Sequence, residues 1–275
     1  MGKFDGILFC TDLDGTLLNK KREVSAENRA AIEYFKKEGG AFTIITGRPP
    51  CISSDIYRMS GANIPYGCIN GGGIYDPAKG EYLWYDTLPE AAFRIVEYVE
   101  KNMPDIGIQF SCPERIYFCR DNSSTQHFRD VTGYPHIVKT LGELGDEPLC
   151  KVIFSTDDTR RLAEIRAEIM ALPEAAQVDF VSGADDLCEM LPKGNTKGTV
   201  LCRMAELLGY DMKKTVAVGD FENDLDMIKK AGIGYAVANA YDGAKAVADR
   251  VTVSNEEHAI AKIIEDLDNE NPFER

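Results

Sequence analysis

The sequence predicts an α/β protein, a doubly wound parallel sheet carrying an inserted α+β unit. Two observations predict the sheet. Short apolar runs alternate with amphipathic helical stretches in the first third of the 275 residues, and the last third repeats the rhythm. Strands buried on both faces by crossover helices leave that pattern. A third observation predicts the insertion: between those thirds the chain turns to paired hairpin strands and longer helices.

Taken in order, Ile7, Leu8, Phe9 and Cys10 form a short apolar run that ends in Thr11 and Asp12. The stretch "SAENRAAIEYFKKEGG" sets Ala31, Ile32 and Phe35 on one face and closes with Gly39-Gly40, a helix with its stop signal. "AFTIIT" is the second strand, ended by Gly47, Arg48 and two prolines. "GGGIYDPAKGEYLWYD" reads as a hairpin with Asp76-Pro77 and Gly80 in the turn, its alternating Tyr82, Trp84 and Tyr85 serving packing. The helix "TLPEAAFRIVEYVEKNMP" precedes two adjacent strands, "IGIQFSC" and "RIYFCRD"; then come "CKVIFST", the helix "DDTRRLAEIRAEIMAL", "QVDFVSG" and "DLCEMLP". The insertion is expected at 88–186, bounded by Leu88-Pro89 and Ser182-Gly183, with 1–87 and 187–275 as the core. The core resumes with the helix "TKGTVLCRMAELLGY", the strand "TVAVGD" and the helix "ENDLDMIKKAG". "IGYAVAN", a helix from about Tyr241, "RVTVS" and the helix "NEEHAIAKIIEDL" complete it.

Composition narrows the function. The chain is 44% hydrophobic and 28% charged, with a formal net charge of −14. A general nucleic-acid or anionic-membrane binder needs a basic face, so no nucleic-acid or membrane partner is expected. The eight cysteines (10, 51, 68, 112, 119, 150, 188 and 202) form no CxxC pair and sit mostly in apolar runs, as free thiols do in a reducing compartment. "MGKFDGILFC" lacks the shape of a signal peptide and the Ser or Thr of a myristoylation signal, and no apolar run of about 18 residues occurs. A cytoplasmic protein is expected.

The carboxylates carry the chemistry. In open parallel sheets ligands bind beyond the carboxyl ends of the strands. Asp12 and Asp14 follow the first strand, Thr46 ends the second, and Asp220 ends "TVAVG", with Asn223 and Asp224 opening the next helix. Four carboxylates, a hydroxyl and helix N-termini therefore gather at one edge. Like charges that close raise one another's pKa unless a cation accepts them. Carboxylate oxygens suit a hard ion such as Mg²⁺, which keeps waters and recruits substrate phosphates. His127, His136 and His258 lie outside these loops, which disfavours zinc. An isolated Asp-x-Asp pair would read as a turn or helix cap, "TGRPP" as loop punctuation, and a lysine opening a helix as solvated.

Four motifs in order change that weighting. "DLDGTLL" resembles the first motif of the haloacid dehalogenase superfamily of phosphatases, "TGR" the second, the lysine of "KGNTKGTVL" the third and "GDFENDLDM" the fourth. The insertion between the second and third motifs is similar to the cap of the type IIB, Cof-like branch, as are "INGGGIYD", Asn239-Ala240 and the C-terminal helix. The resemblance implies a Rossmann-like core and a Mg²⁺-dependent phosphomonoester hydrolase acting on a small phosphorylated metabolite, of sugar phosphate or pyridoxal phosphate type. It implies Asp12 as nucleophile, forming an aspartyl-phosphate, and Asp14 as the acid that protonates the leaving oxygen and then activates water. Thr46 and the Gly47 amide would hold phosphate oxygens, Asn223 would touch the phosphate, and Arg48 is a candidate substrate contact. Lys197 would neutralise the transferring group; Lys193 competes for that motif, and the "KG" spacing before a helix favours Lys197. Asp12, the Asp14 carbonyl and Asp220 would bind Mg²⁺, with Asp224 orienting the metal's water or Lys197. His258 in "NEEHAIA" and Ala238 in "YAVANA" depart from the family pattern.

Rival readings are a phosphomutase, a phospho-acceptor signalling module of receiver type, and an inactive binding protein. Asp14 argues against the signalling module, because it supplies the hydrolytic base that a lasting phospho-switch lacks. The cluster of Arg115, Arg120, His127 and Arg129 reads as exposed strand and helix edges before it reads as an anion-binding wall.

Overall fold

The computed structural model describes residues 2–270 and 272–273. The chain divides into two compact units, one of Met1–Thr46, Ser53–Leu83 and Thr196–Arg275, the other of Gly47–Ile52 and Trp84–Asn195.

The first unit is built on a five-stranded, wholly parallel sheet. Its strands run across the sheet in the order Arg250–Val251, Ile233–Ala236, Thr215–Gly219, Leu8–Thr11 and Ala41–Ile44. The strand Leu8–Thr11, fourth in that order, pairs Leu8 with both Thr215 and Ala41, and Thr11 with Val218 and Ile44. Its four residues, LFCT, are all buried, as expected of a parallel strand covered on both faces. Asp12, Asp220 and the segment ending at Thr46 leave neighbouring strands at the same edge.

Helix Ala26–Lys37 starts at Ser25, whose hydroxyl accepts the Asn28 N–H, and buries Ile32 and Phe35. It packs on the last helix, Ala259–Asn269, where Asn28 Oδ1 accepts the Ala261 N–H. The expected run from Asn255 breaks in two: Asn255–Glu257 is a 3₁₀ turn closed by Ser254 and Glu257. His258 then takes φ 64° before the α-helix begins. A helix over Pro50–Ser60 was not foreseen; the two prolines that end the second strand also place one at a helix start, where no N–H is needed. The hairpin of Gly73–Asp76 and Glu81–Tyr85 turns where expected, Gly80 N–H returning to the Asp76 carbonyl, and Tyr66–Cys68 pairs with its first strand.

The second unit centres on an antiparallel sheet ordered Ile116–Arg120, Gly107–Ser111, Lys151–Ser155, Leu187–Pro192 and Val178–Val181. Ile95, Val96 and Val99 of helix Glu90–Asn102 and Ile165 and Ile169 of helix Thr159–Met170 share its core with Phe110 and Phe154. Within it Arg120 donates to the carbonyls of Met103 and Glu100, while Arg129 pairs with Asp121 and lies over the Phe118 ring. Lys151, 3% exposed, pairs with Glu189 at 2.5 Å and donates to the Gly47 carbonyl at 2.8 Å. Among the described residues no helix is long and apolar enough to cross a membrane.

Candidate active site

The site of the first unit starts from the turn after the strand Leu8–Thr11. Asp12 N–H still donates to Val218 O, continuing the strand pairing, and the chain then reverses so that Leu17 and Leu18 N–H both return to Leu13 O. Gly15 makes the reversal possible. Its φ is +82°, and a Cβ there would stand 2.4 Å from Asp220 Oδ2, so both the backbone conformation and the space demand glycine. Thr16, fully buried, donates its hydroxyl to Asp220 Oδ1 at 2.8 Å. The "DGT" of this turn thus shapes and holds a carboxylate two hundred residues away.

The neighbouring strand ends in a similar close fit. A Cβ on Gly219 would meet the Asp224 side chain at 2.4 Å. Asp224, completely buried, folds back so that Oδ2 accepts the N–H groups of Asp220 (3.0 Å) and Phe221 (3.2 Å). Its Oδ1 accepts from Lys197 Nζ at 2.7 Å, and the same ammonium reaches Asp12 Oδ1 at 2.6 Å. Lys197 opens the helix Lys197–Leu208 behind Thr196, whose hydroxyl accepts the Thr199 N–H. A cation at a helix N-terminus opposes the helix dipole; here two carboxylates outweigh that cost. Lys193 is elsewhere, paired with Asp179 in the second unit.

Three carboxylates, Asp12, Asp220 and Asp224, present oxygens within 4.8 Å of one another. At an effective dielectric near 20, each ionised pair at that spacing repels by on the order of 3 kcal/mol. Burial first, then the neighbouring carboxylates, push the Asp12 pKa well above the ordinary aspartate value despite Lys197. Burial and Asp224 push Asp220 up to about 6. Burial disfavours the Lys197 ammonium, yet Asp12 and Asp224 more than compensate, and it stays protonated. When ionised, the three carboxylates and one ammonium leave an excess of negative charge, and all the donor atoms are hard oxygens. The group can hold a divalent cation. Asp14 is exposed, its carboxylate outside this group but near enough to raise the pKa of both Asp12 and Asp220.

A family model for haloacid dehalogenase-like hydrolases matches residues 9–264, nearly the whole chain. The chain belongs to that family. This hydrolase is a phosphatase of the Cof-like kind. It is 30% identical over 287 residues to the 5-amino-6-(5-phospho-D-ribitylamino)uracil phosphatase YwtE of Bacillus subtilis, covering 93% of this chain and 96% of that protein. It is 28% identical to phosphatase YwpJ of the same organism, covering 94% of this chain and 99% of that one. Its fold matches that of a subclass IIB sugar phosphatase with a TM-score of 0.85 at 21% identity, over 95% of this chain and 99% of the other.

In this hydrolase Thr46 is buried, its N–H donating to Gly67 O and its carbonyl accepting the Asn70 N–H. Asn223, half-buried, donates from Nδ2 to Asn70 Oδ1 at 2.9 Å. Gly47 and Arg48 fall in the Gly47–Ile52 segment of the second unit, where Lys151 holds the Gly47 carbonyl. Two residues without a role in the sequence reading enter the site's hydrogen bonding, Thr16 and Asn70. Both stand inside stretches that carried the resemblance, "DLDGTLL" and "INGGGIYD", which is the one signal that pointed to them.

Proposed function

We propose that this phosphatase hydrolyses phosphomonoesters of small metabolites, with Mg²⁺ bound at the carboxylate group and Asp12 as the covalent phosphoryl acceptor. The observation that carries the reading is Lys197, buried and bridging Asp12 and Asp224 beside Asp220, at the carboxyl ends of adjacent parallel strands. Asp12 and Asp220, with the Asp14 carbonyl, would hold the ion, which when bound offsets charge on the phosphoryl oxygens. Asp224 already has Oδ1 on Lys197 and Oδ2 on two backbone amides. It acts mainly by fixing the ammonium and the loop.

The protein's own part runs as follows. An Asp12 carboxylate oxygen attacks phosphorus, and the bond from phosphorus to the ester oxygen breaks. Asp14, exposed at the turn after Asp12, gives its proton to the leaving oxygen and then takes one from the water that attacks the aspartyl-phosphate. Inorganic phosphate leaves and the Asp12 carboxylate is restored. Lys197, kept charged by its two partners, faces the negative charge of the transferring group. Thr46, Asn223, the Gly47 amide and Arg48 are the candidates for holding its oxygens. A phosphomutase would share the first half and return the group to substrate.

The substrate class follows the sequence expectation of a sugar phosphate or pyridoxal phosphate type. The relative named for a phosphorylated ribitylamino compound adds a phosphorylated polyol chain to it. Release of phosphate from a panel of such esters, with Mg²⁺ and with EDTA, tests the reading. Turnover of at least one ester, lost on chelation and restored by Mg²⁺, is expected. Undiminished turnover after thorough chelation would remove the metal from the account.

A further inference from the structure

Asn70 has a place in the first unit that the reaction above leaves unexplained. It is 1% exposed, and its φ of 51° follows Ile69 at 55°. Two successive non-glycine residues therefore stand in the left-handed region, an outlying conformation for a β-branched side chain. Folds keep such backbone where the surrounding site requires it. Asn70 ties together two residues already assigned to the phosphoryl oxygens: its N–H donates to the Thr46 carbonyl at 3.0 Å, and its Oδ1 accepts from Asn223 at 2.9 Å. In the structure the Asn70 oxygen faces Asn223. The Asn70 Nδ2 is then buried with no hydrogen-bond partner among the described residues. A buried amide donor left unpaired is costly and rare in native proteins. An anionic oxygen arriving at Thr46 and Asn223 would satisfy it.

We propose that Asn70 is a ligand of the substrate's phosphoryl group, Nδ2 donating to a non-bridging oxygen while Oδ1 holds Asn223 toward the same anion. This rests on the reading that the site takes a phosphomonoester. A hydrogen bond to a charged oxygen corresponds to about tenfold or more in affinity.

The test is competitive inhibition by inorganic phosphate, measured on the full chain with Mg²⁺ and a chromogenic phosphate ester, with melting temperature followed in parallel. Asn70→Gly keeps the backbone conformation and removes the amide; its inhibition constant should rise about tenfold or more. Asn70→Asp keeps the shape and the acceptor for Asn223 but replaces the donor with a repelling oxygen, and should bind phosphate more weakly still. In an Asn223→Ala background, Asn70→Gly should cause a further loss of several-fold. An Asp variant with the wild-type inhibition constant, or no further loss in that background, would show that Asn70 acts only through Asn223 and overturn the proposal. If the glycine variant does not fold, the Asp variant carries the same comparison. Wild-type protein that phosphate does not inhibit would overturn the phosphate reading and this proposal together. Normal wild-type inhibition with unchanged variants would overturn this proposal alone.

Discussion

Removing the Lys197 ammonium leaves Asp12 and Asp224 buried without their shared counter-charge. Breaking a buried pair from one side typically costs about 3–5 kcal/mol. Lys197→Met should therefore lower the urea midpoint of the metal-free protein strongly and abolish turnover, and added Mg²⁺ should recover part of the stability but none of the rate. Asp14→Asn makes the opposite pair of changes. Asp14 is exposed, so stability should move by no more than about 0.5 kcal/mol, while loss of the proton donor should slow turnover by about a hundredfold or more. Equal stability losses in the two variants would contradict the division between a buried electrostatic pillar and an exposed acid-base group. Gly15→Ala forces a Cβ against the Asp220 carboxylate at a positive φ. Its expected result is weaker Mg²⁺ stabilisation in a thermal-shift titration, and an unchanged titration would remove Gly15 from the metal site.

At the scale of elements, the helix Lys197–Leu208 delivers its first residue to the site, and Thr196 holds that first turn by capping Thr199 and bonding Asp226. Thr196→Ala should cost about 1 kcal/mol of stability and lower kcat more than it raises KM, because Lys197 loses its fixed approach. An unaffected kcat would detach the cap from the chemistry. The two strands that deliver the acidic residues were legible because each is an apolar run that ends before a carboxylate at the ligand edge, Leu8–Thr11 before Asp12 and Thr215–Gly219 before Asp220. Lys197 was preferred to Lys193 only through the resemblance, on the family's "KG" spacing before a helix; a lysine at a helix start would by itself read as solvated. Asn70 was legible only as part of the stretch "INGGGIYD"; its left-handed turn and its partner 153 residues away are encoded by no local pattern. The Lys151–Glu189 pair escaped for a related reason, since charged residues within short strands read as a solvated face until the sheet shows them 3% exposed.

Across the whole molecule the net charge is −14, so on the proposed reading an anionic substrate depends on the Lys197 ammonium and on a cation at the carboxylate group to offset its charge. The resemblance to capped phosphatases further suggests that substrate choice belongs to the second unit, Gly47–Ile52 and Trp84–Asn195. Alanine substitutions of exposed polar residues across 84–195 should, at some positions, change kcat/KM between metabolites by about tenfold or more, while hydrolysis of acetyl phosphate stays near wild type. Parallel losses on both kinds of substrate would place that unit in the catalytic machinery instead. The central claim is that Asp12 accepts the phosphoryl group, and Asp12→Asn tests it most directly. The amide keeps the shape but is no nucleophile, so with saturating Mg²⁺ and p-nitrophenyl phosphate the account predicts kcat reduced by about a thousandfold or more in a protein that still melts cooperatively. A folded Asp12→Asn variant retaining turnover within about tenfold of wild type would contradict it.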